Sequence, residues 1–139
     1  LPPAAGYLEY GHVKLREQLG LLSGPVEEFQ KSAEAEHNAM LSMLVDEGYL
    51  DASALEDELA NENEIIDALY RGLKGSPCKL MAASIVDAVG EKRTQNQPGT
   101  SNEYPNWRIP LADGDGNVVP LEQLFDNTRL QEIAAIMRG

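Results

Sequence analysis

Helical periodicity in the first half of the chain is the sequence feature that most constrains its fold. Between residues 26 and 44, apolar side chains recur at steps of three and four residues, which places them on one face of an amphipathic helix. Gly48 follows this run, and a glycine there predicts the end of the helix. A second periodic run between residues 65 and 73 predicts another helix, which ends before Pro77. These runs predict a mainly α-helical fold with minor β structure.

Turn and capping residues divide the rest of the first half. Apolar residues between positions 8 and 22 predict one short helix that ends near Gly20. Pro25 suits the first residue of the helix that follows, because that position needs no N–H donor. Ser53 with Glu56 matches a capping box and predicts a further short helix.

The character of the sequence changes in its second half. Residues 91–116 are crowded with Gln, Asn, Pro, Gly, Ser and Thr, which predicts a long loop. Apolar residues at 107–111 and 118–121 flank an Asp-Gly-Asp-Gly turn and predict a small hairpin. Thr128 matches the cap of a last helix. Residues 80–83 form a short apolar run that suits a buried strand or the start of a helix equally well.

The net charge of −12, from 23 acidic and 11 basic residues, limits the partners that the chain can bind. A protein that binds nucleic acid or an anionic membrane must supply cations, so neither is expected as a partner. No apolar run approaches the roughly 20 residues needed to cross a bilayer. The single Cys78 has no partner for an internal disulfide, which favours a reducing, cytoplasmic location. Without a repeat or a low-complexity linker, residues 1–139 are predicted to form a single unit.

The chain offers weak candidates for a metal site or for catalysis. Asp113, Asp115 and Asn117 resemble the start of a calcium loop, but the required glycine and final acidic residue are absent, so a tight turn is preferred. The two histidines, His12 and His37, have no further ligand at a metal-site spacing such as His-Glu-x-x-His. No pair of acidic residues is marked as catalytic. We therefore expect no metal, no cofactor and no catalytic residue in this chain.

The long loop holds the residues best suited to ligand binding. Its Asn and Gln amides can both donate and accept hydrogen bonds, which suits the hydroxyl groups of sugars. It also contains Trp107, the only tryptophan, whose flat apolar face suits a pyranose ring. The alternative is that Trp107 packs beneath the loop while Arg108 pairs with a surface carboxylate. The residues by themselves leave both interpretations open and favour the packing role.

Two motifs in this loop resemble those of a known enzyme family. The sequence reads Asn96-Gln97-Pro98-Gly99-Thr100 and then Glu103-Tyr104-Pro105-Asn106-Trp107-Arg108. It resembles the late signature of the 4-alpha-glucanotransferases, the amylomaltases or disproportionating enzymes of glycoside hydrolase family 77, in which Asn-x-Pro-Gly-Thr leads into Glu-x-Pro-Asn-Trp-Arg. At the other end, Leu1-Pro2-Pro3 and Gly6-Tyr7 resemble the segment that follows a His-Asp pair in that family. The resemblance therefore spans the chain.

The resemblance implies a fold and an activity. Members of this family fold as a (β/α)8 TIM barrel and transfer segments of α-1,4-glucan to acceptor sugars with retention. The chain is then expected to be a C-terminal fragment of the barrel, with a helical segment over residues 1–77. Residues 78–139 would hold the eighth barrel strand, at residues 80–83, then the loop and the terminal helix. Barrel enzymes build their active sites at the rim where such a loop lies.

The resemblance also implies which residues bind substrate and what the chain lacks. The catalytic carboxylates of the family correspond to positions before Leu1, so the chain is expected to be inactive by itself. Asn96 matches a family position in the substrate cleft, and Pro98, Gly99 and Thr100 are the other expected substrate-binding residues. The expected partners are α-1,4-glucans and maltooligosaccharides, and exposed helix faces are expected to promote self-association. The alternative is a free-standing acidic helical interaction module without enzymatic activity.

Overall fold

A computed structural model describes residues 2–138 and contains seven α-helices in that range. They are α1 (Ala4–Leu8), α2 (Gly11–Gln18), α3 (Val26–Asp46), α4 (Glu62–Gly75), α5 (Ile85–Ala88), α6 (Leu121–Leu124) and α7 (Thr128–Arg138). A short 3-10 helix, Ala52–Glu56, precedes α4. The β structure of the described range is one isolated bridge between Ala112 and Val118. The predicted mainly helical fold with minor β structure is confirmed.

The hydrophobic core lies where the helices meet around α4. This helix packs along α7 and also contacts α1 and α3. The side chains of Leu44, Ile65, Ile66 and Ile133 are almost completely buried there. Complete burial of one such side chain stabilises the fold by roughly 1.5–3 kcal/mol. The apolar stripes that predict α3 and α4 therefore supply much of the core.

The bounds of α3 and α4 agree with their apolar periodicity. Pro25 is the N-cap of α3 and not its first helical residue, a difference of one position. The helix ends before Gly48, whose φ of +76° is a left-handed conformation that glycine adopts without strain. Helix α4 continues through Gly72 to Gly75, and Pro77 follows it.

The single helix predicted between residues 8 and 20 is wrong, because α1 and α2 are separate helices. Tyr10 lies between them with a φ of +58°, which breaks the helical path. A close tertiary contact accompanies this break. A Cβ on Gly6 would lie 2.1 Å from the carbonyl oxygen of Lys92, so the backbone of α1 lies directly against the long loop. Apolar periodicity does not report a contact of this kind.

The predicted caps of the 3-10 helix and of α7 are also wrong, because the capping residue lies slightly earlier in the chain in each case. Asp51, and not Ser53, precedes the 3-10 helix, and its Oδ1 accepts hydrogen bonds from the N–H of Ser53 at 2.8 Å and from its hydroxyl at 2.6 Å. Asn127, and not Thr128, caps α7, because its Oδ1 accepts from the N–H of Leu130 at 2.8 Å. Asp and Asn cap helices as well as Ser and Thr do, so the sequence contained competing candidates.

Residues 80–83 form neither the predicted barrel strand nor a helix. They have no regular secondary structure, and the side chain of Leu80 is 94 % exposed. A strand needs a hydrogen-bonded neighbour, and the part of the chain that the structure describes contains none beside them. The predicted hairpin is reduced to the Ala112–Val118 bridge, because α6 begins at Leu121. No helix within residues 2–138 combines the length and apolar character needed to span a membrane.

Candidate functional site

A buried carboxylate fixes the start of the loop formed by residues 91–108. Glu91 is 1 % exposed. Its Oε1 accepts hydrogen bonds from the backbone N–H and the Nε of Arg93, both at 2.9 Å. Its Oε2 accepts from Nη2 of Arg93 at 2.7 Å and from the N–H of Ala112 at 3.1 Å. Nη2 also donates to the carbonyl of Pro110 at 3.0 Å, so this pair joins the two ends of the loop.

Opposing effects set the pKa of the Glu91 carboxyl group. Burial raises this pKa, but the hydrogen bonds and charge of Arg93, together with the N–H of Ala112, outweigh burial and hold it below its usual value. Glu91 is therefore ionised at neutral pH. A general acid needs a raised pKa, so Glu91 anchors the loop and is not a candidate proton donor.

The middle of the loop is closed by its own side chains. Oδ1 of Asn106 accepts from the N–H of Gln97 at 2.7 Å, and Nδ2 of Asn106 donates to the hydroxyl of Thr100 at 2.9 Å. That hydroxyl donates in turn to the carbonyl of Gln97 at 2.7 Å. Gly99 has a φ of +88°, which favours glycine at this point of the turn. The two sequence motifs of the loop are therefore hydrogen-bonded to each other.

Two clefts meet at Asn96. The first has a volume of about 580 Å³, and we name it the basic cleft; its lining includes His12, Leu15, Arg16, Leu21, Lys92 and Asn96. The second has a volume of about 720 Å³, and we name it the tryptophan cleft; its lining includes Pro3, Tyr70, Asp87, Gln95, Asn96 and Trp107. The backbone carbonyl of Asn96 accepts from the hydroxyl of Thr94 at 3.2 Å, whereas its side-chain amide has no partner among residues 2–138. Asn96 therefore lies at the junction of the two clefts.

The basic cleft carries positive charge in an otherwise acidic chain. Arg16 and Lys92 line it, and within the described residues no Asp or Glu does. Lys92 forms an ion pair with Glu9, and this hydrogen bond raises the pKa of Lys92, so the ammonium group stays charged. His12 stacks on Tyr7 with ring centroids 5.0 Å apart, and burial lowers the pKa of His12. His12 is therefore neutral at physiological pH.

A hydrogen-bonded network forms one wall of the tryptophan cleft. Asp87 accepts from the hydroxyl of Tyr70 at 2.7 Å and from the N–H of Ala4 at 2.7 Å. The hydroxyl of Tyr70 also accepts from the N–H of Ser84 at 3.0 Å. Burial and the hydrogen bond to Asp87 raise the pKa of Tyr70 to about 12, so this hydroxyl stays protonated. Trp107 also lines this cleft, with 77 % of the residue exposed.

Three of the four predicted binding residues lie at the clefts. Asn96 and Pro98 line both clefts, and Gly99 lines the basic cleft. Thr100 contributes to the lining of neither cleft within the described part of the chain, and its hydroxyl is engaged inside the loop. Substrate binding by these residues stays a prediction.

Sequence reasoning missed the pairing of Tyr70 with Asp87. Tyr70 belongs to the buried side of α4, where a tyrosine hydroxyl needs a hydrogen-bond partner, and this was the available signal. Its partner lies in α5, a helix that the sequence pattern did not predict. The second histidine, His37, is buried, and its Nε2 lies 2.6 Å from Oε2 of Glu58.

An amide-rich loop between two clefts, with an exposed aromatic ring beside it, offers the polar and flat apolar groups of a ligand-binding protein. The comparisons make this class specific. The fold matches the crystal structure of amylomaltase from Corynebacterium glutamicum with a TM-score of 0.82 and 36 % identity, over 99 % of this chain and 20 % of that chain. The family model for 4-alpha-glucanotransferase matches residues 1–115. The chain belongs to the 4-alpha-glucanotransferase family.

Individual relatives agree with this assignment. The 4-alpha-glucanotransferase of Mycobacterium tuberculosis is 46 % identical over all 139 residues, which correspond to 19 % of its own length. That of Haemophilus influenzae is 27 % identical over 134 residues, or 94 % of this chain and 18 % of the relative. The chain thus spans about a fifth of the length of the relatives it matches. A free-standing interaction module does not account for these matches.

Proposed function

We propose that the chain is the C-terminal, substrate-contacting part of a 4-alpha-glucanotransferase. In this role the loop of residues 91–108 contacts an α-1,4-glucan or maltooligosaccharide, and carboxylates elsewhere in the complete enzyme carry out the transfer. The observation that carries the proposal is the position of Asn96, which lines both clefts and whose side-chain amide has no hydrogen-bond partner within residues 2–138. An amide of this kind can both donate to and accept from sugar hydroxyls.

The residues that line the clefts support the proposal that the chain is inactive by itself. Transfer with retention needs two carboxyl groups about 5–5.5 Å apart and in unlike environments. Within the described residues, no carboxylate lines the basic cleft and Asp87 alone lines the tryptophan cleft. Both oxygens of Asp87 already accept hydrogen bonds. We therefore propose that the complete enzyme transfers glucan with retention and that this chain does not.

A cytoplasmic location is part of the same proposal. Cys78 is a free, exposed thiol, and such thiols persist in reducing compartments.

An assay with maltotriose tests the division of labour. The 139-residue chain is compared with a polypeptide extended upstream by the remainder of its gene. We expect glucose release and longer oligosaccharides from the extended form only. Transfer by the 139-residue chain, or an upstream reading frame without barrel segments, would contradict the proposal.

Substitution of Asn96 tests the contact with glucan. Loss of hydrogen bonds worth about 1.4 kcal/mol corresponds to a tenfold weaker affinity, so Asn96→Ala should reduce maltoheptaose binding about tenfold in calorimetry. Asn102→Ala, which changes an exposed amide of the same loop, is the matched control and should bind as the wild type does. Equal affinities of the two variants would show that Asn96 does not contact the glucan.

A further inference from the structure

Trp107 is a large aromatic residue that the described residues leave exposed. The residue is 77 % exposed and lines the tryptophan cleft. Packing beneath the loop, the role that the sequence favours for Trp107, belongs instead to Tyr104. The hydroxyl of Tyr104 donates to the carbonyl of Thr94 at 2.6 Å, and the ring is partly buried. The loop therefore does not use the Trp107 ring for its own packing.

The backbone at Trp107 is held in a conformation that this residue type disfavours. Its φ is +58°, and it occupies the third position of a turn closed by a 3.0 Å hydrogen bond from the N–H of Arg108 to the carbonyl of Pro105. Glycine or asparagine is the usual residue where a turn requires a positive φ there. The N–H of Trp107 donates to the carbonyl of Gln95 at 2.8 Å, which holds this geometry. A strained conformation that presents an exposed side chain to a cleft is typical of a functional position.

An amide group without a partner lies in the same cleft. The side-chain amide of Asn96 has no hydrogen-bond partner among residues 2–138. Asn96 lines the tryptophan cleft together with Trp107. An aromatic face beside a polar amide matches a sugar ring, which has C–H groups on its faces and hydroxyls around its edge.

We propose that Trp107 is a stacking platform for one glucosyl ring of an α-1,4-glucan in the tryptophan cleft, with the amide of Asn96 binding its hydroxyls. This inference rests on the proposed function and names one subsite within it. Its position follows from the exposed ring, the turn that presents it and the Asn96 amide beside it.

The single tryptophan makes the subsite directly observable. Maltoheptaose added to the 139-residue chain should produce a saturable blue shift of Trp107 emission, whereas a β-1,4-linked glucan of equal length should produce none. In calorimetry, Trp107→Ala should weaken maltoheptaose binding about tenfold, because an aromatic contact contributes about that factor. Trp107→Phe keeps an aromatic face and should bind within about threefold of the wild type. Circular dichroism verifies the fold of each variant.

Phe125→Ala is the matched control, because Phe125 is 76 % exposed and does not line either cleft within the described residues. It should leave affinity unchanged. Maltoheptaose binding with unchanged emission and with equal affinities for the wild type and Trp107→Ala would overturn the stacking role and leave the proposed function standing. Absence of any binding by the wild type would overturn both.

Discussion

Replacement of Glu91 by glutamine keeps the size of the loop anchor but removes its charge and one acceptor oxygen. Each carboxylate oxygen of Glu91 accepts two hydrogen bonds, one of them from a backbone N–H: that of Arg93 on one oxygen and that of Ala112 on the other. Whichever way the new amide turns, two donors face its NH2 group. One of them is always a backbone N–H.

The expected loss of stability is about 2.5–4.5 kcal/mol. A buried N–H without an acceptor costs about 1–3 kcal/mol, and the loss of hydrogen bonds to a charged group adds about 1.5 kcal/mol. The Arg93 side chain is 47 % exposed, so its freed donor turns to water and adds little. Because domains of this kind are stable by about 5–15 kcal/mol in total, the effect is large enough to measure.

Urea denaturation at neutral pH, followed by circular dichroism, measures this loss. Glu122→Gln, at an exposed acid on α6, is the control and should change the free energy of unfolding by less than about 0.5 kcal/mol. Because folding lowers the pKa of Glu91, its stabilisation is complete above the ordinary value of 4.5 and is lost as the pH falls through the folded-state pKa. The difference between wild type and Glu91→Gln should therefore shrink in acid. A difference below about 1 kcal/mol at neutral pH, or one independent of pH, would refute this reasoning.

Other contacts give equally direct expectations. Gly6→Ala places a Cβ 2.1 Å from the carbonyl oxygen of Lys92 and should destabilise the fold by about 1–3 kcal/mol or more in urea denaturation. Folding raises the pKa of Tyr70 from 10.0 to about 12, so wild-type stability should fall as the pH rises through this interval, and Tyr70→Phe should lack that part of the loss. Several large apolar residues are exposed, Leu80 the most at 94 %, so the chain should self-associate in concentrated solution, and Leu80→Ser should lower the average mass measured by sedimentation.

Each of these predictions has a control variant or a result that would contradict it. Gly24→Ala is the control for Gly6, because the nearest atoms to its Cβ position are 3.8 Å away, and it should be nearly neutral. Equal effects at the two glycines would show that α1 can move away from Lys92. Identical alkaline titrations of wild type and Tyr70→Phe would contradict the shifted pKa. A monomeric wild-type chain at high concentration would contradict association through Leu80.

Sequence patterns predict those helices whose bounds are determined by residues near them in the chain. The length of α3 follows from its apolar stripe and from Gly48, which ends it. The break at Tyr10 is accompanied by a tertiary contact, that of α1 with the loop, and no composition or spacing around Tyr10 predicts it. Residues 80–83 carry an apolar pattern that suits a strand, but strand formation depends on a neighbour elsewhere.

The candidate site likewise has features that the sequence predicts and features that it does not. The amide-rich composition of the loop predicts polar binding, and the resemblance to a family selects Asn96, which the structure places between the two clefts. The exposure of Trp107 was not predictable, because it depends on Tyr104 taking the packing position beneath the loop. The network of Tyr70 and Asp87 required the three-dimensional packing of α4 and α5.

Among the described residues, the hydrogen bonds that shape residues 94–108 join positions within that same stretch. Tyr104 reaches back to Thr94, Asn106 to Gln97 and Thr100, and the N–H of Trp107 to Gln95. Such a segment contains both partners of the hydrogen bonds that determine its conformation. A cyclised peptide of these residues should keep the bend in isolation, and grafting the segment onto an unrelated scaffold should move the bend with it.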